Sequence, residues 1–322
     1  MSRAQIWVFA EKKNGVPTRT TIQLLGAARK LAEQRECDIV ALLAGGSQET
    51  AAELARFAPR VLLLDNQELA IYEAIRFKQA LDGLMEDIGV PELILSATSS
   101  AGSEFMPALA ARRQGAFAAG CIDIWWEDDK PAVRRPIYGG RVYEEVAFEA
   151  SPLIATLRPG AFPAAEPAGE TGEIESKGIE FDCEGAPRLG ELKTTVGGGL
   201  SLNEATRVVA GGRGMGKAEN FGLLEELAQT LGGAVAASRS VVDSGWRPHD
   251  EQVGKSGKTI SPGLYIACGI SGAIHHLLGM NTSKLVVAIN TDPEAPIFGH
   301  ADIGLVGDAT ELVPALTRAL KK

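Results

Sequence analysis

The chain has 322 residues, which is long for a single hydrophobic core, so two domains of about 100–200 residues each are expected. Its composition, 45% hydrophobic and 6% aromatic, is ordinary for a soluble α/β protein. The formal net charge of −9 argues against nucleic acid or an anionic membrane as the main partner, because both require a basic surface.

Hydrophobic stretches are short throughout the chain. None approaches the roughly 20 residues of a membrane span, so no membrane insertion is expected, and the apolar run at the N-terminus is too short for a signal peptide. The cysteines are widely spaced and form no CxxC pair, so the sequence indicates neither a zinc site nor a disulfide framework. The four cysteines are Cys37, Cys121, Cys183 and Cys268. Because the cytoplasm is reducing and keeps thiols unpaired, a cytoplasmic location is the simplest expectation.

The first half of the chain alternates strand-like and helix-like segments, which predicts a mostly parallel sheet covered by helices. In chain order these segments are residues 5–10, 21–34, 38–43, 61–64, 72–87 and 93–97. After residue 117, strand-like segments follow one another through short turns with no helix between them. We expect these to be antiparallel strands added to the sheet, at residues 118–126, 132–138, 142–149 and 153–157.

A stretch rich in Pro, Gly and Glu, residues 159–202, follows this region and contains one strand-like insert at 179–181. We place the domain boundary near 192–203, which gives an N-terminal α/β domain of residues 1–192 and a small, doubly wound C-terminal domain of residues 193–322. The alternation restarts in the second domain. Its predicted strands are residues 207–210, 234–237, 264–267, 285–289 and 303–306, and its predicted helices are 218–231, 273–280 and 310–320.

The turns after the five predicted strands of the second domain carry the residues that a ligand would need. Open parallel sheets bind ligands outside the carboxyl ends of their strands. These turns combine glycines, two arginines, hydroxyls and an Asp suited to a ribose diol. One such turn says little, because turns and helix caps also favour Gly and Asp, but five together favour a nucleotide-like ligand. The turns are Gly211-Gly212-Arg213-Gly214, Ser238-Arg239, Gly269-Ile270-Ser271-Gly272, Asn290-Thr291-Asp292 and Gly307-Asp308.

Two segments come close to the P-loop pattern GxxxxGK[ST] without completing it. Residues 211–217 have the spacing, but Ala218 stands where a Ser or Thr would hold Mg²⁺. Residues 257–259 end like a P-loop, but Gln252 replaces the required first Gly. An ATP-dependent enzyme is therefore not expected.

The segment 245–280 contains a hydroxyl-rich Gly loop, QVGKSGK, followed by LYIACGISGAIHH. It resembles the flavin-binding signature of the electron transfer flavoprotein alpha subunit family. Further strings on both sides of this segment match the family in its order, among them RVVAGGRGMG, ASRSVVDSGW, AINTDPEAPIF and ADIGLVGD. The resemblance is weaker in the first domain, where WVFAEKKNG and RPGAF look similar.

This resemblance implies FAD in the second domain and a heterodimer with an electron transfer flavoprotein beta subunit that docks on the first domain. It implies a redox electron carrier rather than a self-sufficient enzyme. This carrier would shuttle electrons between acyl-CoA dehydrogenase type enzymes of fatty acid oxidation and a further acceptor. The sequence leaves open whether the assembly bifurcates electrons. A nucleotide-binding regulatory or structural module without redox activity is the alternative.

The resemblance also implies which residues bind FAD. One segment would wrap the pyrophosphate and reach the flavin: Ser271, Gly272, Ala273, Ile274, His275 and His276. A loop would run along the flavin N5 and C4-carbonyl edge, namely Val253, Gly254, Lys255 and Ser256, and Gln252 just before it would also bind the cofactor. The remaining contacts would come from Arg213, Ser238, Arg239, Asn290, Asp308 and Ala309.

Three of these side chains would matter for redox chemistry. Arg239 would lie beside the ring, the Ser256 hydroxyl would point toward N5, and His276 would lie near the C2 carbonyl. A guanidinium or imidazolium at such a position lowers the energy of an anionic reduced flavin. Lys255 replaces a common Gln of the family and adds a charge that would shift the flavin potential if it points inward. Trp246 would either shield the flavin or merely pack.

Overall fold

The structure, a computed structural model, describes residues 4–180, 187 and 200–321. These residues divide into two compact units, the first holding residues 4–137 and 143–180 and the second holding 138–142 and 200–321. The predicted domain boundary at residues 192 and 193 lies outside the described residues, as does Cys183. In the described part of the chain no helix is long and apolar enough to cross a membrane.

The first unit contains twelve strands and four α-helices among its described residues. The strands are β1 (Ala4–Ala10), β2 (Lys12–Lys13), β3 (Val16–Pro17), β4 (Cys37–Ala44), β5 (Arg60–Asp65), β6 (Leu93–Ala97), β7 (Ala116–Cys121), β8 (Asp123–Glu127), β9 (Lys130–Ile137), β10 (Val142–Ala147), β11 (Leu153–Leu157) and β12 (Glu173–Gly178). The helices are α1 (Arg19–Gln34), α2 (Gln48–Ala55), α3 (Ala74–Ile88) and α4 (Ser100–Arg112).

A seven-stranded sheet in the order β12-β5-β4-β1-β6-β11-β7 forms the centre of this unit, and all its neighbouring strands are parallel. Alternate residues of β1 reach opposite faces, so Val8 packs with α1 and α2 whereas Phe9 packs with α3 and α4. Burial on both faces explains why residues 6–10 of β1 are a continuous apolar run. Ser99 caps α4 by accepting a hydrogen bond of 3.0 Å from Gly102 N–H.

The strands after residue 117 are arranged differently from the prediction. β7 and β11 join the main sheet in parallel, and β8, β9 and β10 form a separate three-stranded sheet in which β8 and β9 are antiparallel. The predicted strand 118–126 is two strands that break at Ile122, whose N–H donates to the Arg134 carbonyl oxygen at 2.8 Å. The segment β8–β10 carries the chain back to the end of the main sheet at which β7 begins. Strand β11 therefore runs parallel to β7.

The second unit is a five-stranded sheet with helices, and all its strand pairs are parallel. Its elements are β13 (Arg207–Gly211), α5 (Phe221–Leu231), β14 (Ala234–Ala237), α6 (Arg239–Asp243), β15 (Leu264–Cys268), α7 (Ile274–Leu277), β16 (Val286–Asn290), β17 (Ile303–Val306) and α8 (Ala309–Leu320). The strand order β14-β13-β15-β16-β17 places a topological switch point between β13 and β15. The predicted α/β class, with a parallel sheet in each part of the chain, is confirmed.

Two helices of this unit differ from their predicted lengths. The predicted helix 218–231 begins as a 3-10 turn, Ala218–Asn220, before α5. The predicted helix 273–280 is only the four residues of α7, followed by turns. A β-carbon at Gly279 would collide with the backbone nitrogen of Gly254, so the chain turns there to approach a neighbouring loop.

Candidate functional site

The turns after β13 and β15 meet at the switch point through their backbones. Gly212 N–H donates to the Cys268 carbonyl oxygen at 2.9 Å, and Gly214 N–H donates to the Gly269 carbonyl oxygen at 3.0 Å. Gly269 has φ +61°, in the left-handed region, and a β-carbon there would lie 2.7 Å from the Gly214 backbone. These turns hold their shape because the glycines have no side chains.

Neighbouring turns extend this contact into a continuous rim along the carboxyl edge of the sheet. Ser238 N–H donates to the Gly211 carbonyl oxygen at 3.0 Å, and the Asn290 side-chain amide donates to the Ile270 carbonyl oxygen at 3.0 Å. Gly307 N–H then donates to the Asn290 carbonyl oxygen at 2.9 Å. The structure thus brings all five predicted turns to one edge.

The loop of residues 252–258 is fastened between β14 and α7. Val253 N–H donates to the Ala237 carbonyl oxygen at 3.0 Å, and Lys255 N–H donates to the His275 carbonyl oxygen at 2.7 Å. Gly254 has φ +141°, and a β-carbon there would lie 2.7 Å from the same His275 oxygen. Two segments assigned to the flavin by resemblance, residues 252–256 and 271–276, are therefore in direct contact.

The Ser256 hydroxyl is held by a buried neighbour. Gln252 is 3% exposed, and its side-chain amide donates to the Ser256 hydroxyl oxygen at 3.0 Å. A hydroxyl that accepts one hydrogen bond retains its own proton for donation. Ser256 itself lies at the surface of the unit, where that proton can reach a bound acceptor.

His276 is buried and neutral at physiological pH. Its side chain is 6% exposed, and its Nε2 lies 2.9 Å from the Tyr265 hydroxyl. Burial lowers the pKa of the imidazole to about 4, an effect that hydrogen bonding with the Val253 backbone opposes only in part. The Nδ1 atom is buried, and no described residue meets it in full hydrogen-bonding geometry. In the chain by itself this pKa makes His276 neutral at pH 7, which favours the hydrogen-bond donor over the imidazolium considered from the sequence.

The charged groups of the rim are at its surface. Arg239 is the first residue of α6, with a side chain 67% exposed and an ion pair to Asp243 at 3.3 Å. Arg213 and Lys255 are also exposed. The exposed carboxylate of Asp308 caps α8 by accepting from Thr310 N–H at 2.7 Å, and this hydrogen bonding with Thr310 lowers the pKa of Asp308.

The other predicted site residues have less distinctive surroundings. The hydroxyl of Ser238 lies 3.1 Å from that of Ser240, and Ala309, the first residue of α8, is buried. Gly272 has φ +87°, and a β-carbon there would collide with the backbone of Ile297. The exposed members of the segment after β15 are Ser271, Ala273, Ile274 and His275.

Trp246 packs on the unit. Its ring lies 6.5 Å from the Phe221 ring, edge to face at 75°, and it joins the cluster under α5. These contacts support the packing interpretation.

Two features of the site were not found from the sequence. The hydrogen bond from Gln252 to Ser256 spans four residues of one loop, a spacing that a polar loop sequence does not reveal. Tyr265 lies in the middle of a buried apolar strand, where the expected role of an aromatic residue is packing. No local signal could identify Tyr265 as a partner of His276.

A doubly wound sheet with a glycine-lined rim at its switch point defines a nucleotide- or flavin-binding domain. Comparison with known protein families supports this class of domain. Residues 201–281 match the family described as the electron transfer flavoprotein FAD-binding domain, and residues 6–179 match the electron transfer flavoprotein domain.

Relatives that align over nearly the whole chain are electron transfer flavoprotein alpha subunits and FixB proteins. The chain is 37% identical over 328 residues to the electron transfer flavoprotein subunit alpha of Thermoanaerobacterium thermosaccharolyticum, covering 98% of each chain. It is 37% identical over 321 residues to the subunit alpha of Bacillus subtilis, covering 99% of this chain and 98% of that one. It is 36% identical over 322 residues to the protein FixB of Clostridium saccharobutylicum, covering 98% and 96%.

The chain belongs to the electron transfer flavoprotein alpha subunit family, and its cofactor is FAD. This membership favours the electron carrier over the regulatory or structural module.

Proposed function

We propose that the chain forms a heterodimer with an electron transfer flavoprotein beta subunit. This heterodimer accepts electrons from acyl-CoA dehydrogenase type enzymes and passes them to a further acceptor. The observation that carries the proposal is the contact between the loop 252–258 and α7 beside the glycine rim, because it gathers the groups assigned to the flavin at one edge. The cytoplasmic location stays a prediction.

The residues present fit FAD. Glycines at these turns keep side chains off the carboxyl edge of the sheet, where a dinucleotide binds, and Nδ1 of His276 is a buried polar atom that no described residue meets in full hydrogen-bonding geometry and that a ligand can satisfy. When bound, FAD supplies the one- and two-electron redox chemistry that side chains lack. In this proposal residues 271–276 wrap its pyrophosphate and reach the flavin, while Asn290 and Asp308 hold its phosphate and adenosine end.

Ser256 donates its hydroxyl proton toward the N5 edge of the flavin. Gln252 orients that proton, because its amide occupies the hydroxyl oxygen from the protein side. His276 contributes a neutral hydrogen bond at the other end of the ring. Arg239 and Lys255 contribute positive charge from the rim, where solvent screens each of them.

The test is the flavin content of the full chain co-expressed with a beta subunit. We expect a yellow complex whose FAD is reduced by a reduced acyl-CoA dehydrogenase. A colourless complex would reject the proposal. Reduction by other donors but by no acyl-CoA dehydrogenase would keep the carrier and reject this class of partner.

The same preparation decides whether the assembly bifurcates electrons. This chain offers one glycine rim in its second unit, so a bifurcating assembly would need a further FAD from its partner. One flavin per heterodimer would exclude bifurcation, and two would support it.

A further inference from the structure

Tyr265 and His276 form a buried polar pair inside an apolar cluster. Tyr265 is 0% exposed, and its hydroxyl lies 2.9 Å from His276 Nε2. The two rings are 6.2 Å apart and inclined by 55°, so the contact runs through the hydroxyl rather than through stacked faces. The neighbours of Tyr265 on the adjacent strands, Val208 and Val286, have side chains that offer no acceptor.

The direction of this hydrogen bond follows from the protonation states. Burial raises the pKa of the Tyr265 hydroxyl, so it stays protonated, and burial leaves His276 neutral. A neutral imidazole has one N–H group and one bare nitrogen, and the bare nitrogen is the acceptor. If Nε2 carried the proton, the Tyr265 proton would need another acceptor, and the surrounding apolar side chains provide none.

We infer that Tyr265 is a positioning residue that donates to His276 Nε2 and thereby fixes the ring as its Nδ1–H tautomer. The proton then lies on the nitrogen that no described residue meets in full hydrogen-bonding geometry. The hydroxyl also fixes the rotation of the ring about its bond to the chain. His276 is thus preset as a neutral donor, and its use toward the flavin rests on the proposed function.

The tautomer can be measured without any flavin. The full chain, labelled with ¹⁵N at its four histidines, gives long-range ¹H–¹⁵N NMR spectra in which protonated and bare ring nitrogens have distinct shifts. His276→Gln identifies the His276 signals by their loss. We expect wild-type His276 to show a bare Nε2 and a protonated Nδ1, with the Nδ1–H form favoured at least about tenfold, the worth of one good hydrogen bond.

Tyr265→Phe removes only the hydroxyl and keeps the ring. We expect the tautomer preference to fall toward parity in this variant. Tyr72→Phe is the matched control, because it removes a hydroxyl that bonds Glu104 at 2.9 Å in the first unit, and it should leave the His276 signals unchanged. A protonated Nε2 in the wild type, or an unchanged preference in Tyr265→Phe, would overturn the inference.

A second measurement uses the complex with the beta subunit. Tyr265→Phe should shift the flavin reduction potential in the same direction as His276→Gln while FAD content stays at the wild-type level. An unchanged potential would overturn the link to the flavin. A wild-type complex that holds no FAD would instead reject the proposed function and leave the NMR result standing.

Discussion

The side-chain amide of Gln252 donates to the hydroxyl oxygen of Ser256 at 3.0 Å, four residues further along the same loop. Gln252 is buried whereas Ser256 is exposed, so the contact ties a surface hydroxyl to a fixed point in the core of the unit. A serine hydroxyl otherwise rotates freely among its rotamers. This hydrogen bond therefore selects the direction in which Ser256 donates its proton.

Replacing Gln252 by Met keeps most of the side-chain volume and removes the amide donor. We expect the dissociation constant for FAD to rise about 2- to 10-fold, the worth of one hydrogen bond. Ser256→Ala should cost a similar amount. Because both variants disrupt one interaction, the double variant should lose little more than either alone. Fully additive losses, measured by flavin fluorescence titration of the complex, would show that Gln252 acts independently of Ser256.

Gly269→Ala should destabilise the second unit. The substitution adds a β-carbon at φ +61°, 2.7 Å from the Gly214 backbone, and backbone cannot move aside as a flexible side chain does. The free energy of unfolding should fall by at least about 2 kcal/mol, and FAD binding should be lost as well. Urea unfolding of the full chain measures the first quantity.

Gly222→Ala is the matched control for that variant. Gly222 lies in α5, and a β-carbon there would have no atom within 4 Å, so alanine should stabilise the helix by about 0.5–1 kcal/mol. Equal destabilisation by both substitutions would contradict the steric explanation at Gly269.

His276 should make the chain less stable in acid. Its pKa is lowered from 6.5 to about 4 on folding, so between these values the unfolded chain binds a proton that the folded chain does not. Its contribution is fully present above about pH 6.5 and is lost as the pH falls toward 4, amounting to on the order of 3 kcal/mol.

The comparison for this prediction is His276→Gln, which does not titrate. Urea unfolding of both proteins at several pH values between 7 and 4 isolates the His276 contribution, because the other titrating groups are common to both. We expect the wild type to lose stability more steeply than the variant. Parallel pH profiles would mean that His276 has the same pKa in the folded and the unfolded chain.

Arg239→Ala should lower the reduction potential of the bound flavin, because a positive charge that favours the reduced anion is removed. The side chain is 67% exposed, so screening limits the effect to about 1 kcal/mol, or roughly 40 mV for one electron. Arg239→Lys should be intermediate, because it keeps the charge and loses the planar fork.

Asp243→Asn serves as the control for Arg239. It removes the ion-pair partner of the guanidinium, leaves its positive charge in place, and should raise the potential slightly or leave it unchanged. Spectroelectrochemical titration of the complex gives all three potentials. A potential that stays at the wild-type value in Arg239→Ala would limit Arg239 to a surface role.

Elements determined by local sequence were predicted closely. The bounds of β11, β14 and β17 agree with the predicted 153–157, 234–237 and 303–306, because each is a short apolar run ended by turn residues. The five turns of the rim were also predicted, since parallel strands place all their carboxyl ends at the same edge.

Features that depend on distant contacts could not be predicted. The direction of β11 is set by its pairing with β6 and β7, which no local pattern specifies. The shortness of α7 follows from the close approach of Gly279 to Gly254 in another loop. The lowered pKa of His276 depends on burial by distant parts of the chain, which no local pattern in the motif specifies.

The glycines of the rim change how sequence variants of this chain should be interpreted. Alanine at Ser256 deletes a functional group, whereas alanine at Gly269 inserts a methyl group into space that neighbouring backbone already occupies. An alanine scan of these turns and loops therefore combines substitutions that remove atoms with substitutions that add them. At these turns a glycine-to-alanine change, which most substitution scales rank as mild, belongs among the damaging variants.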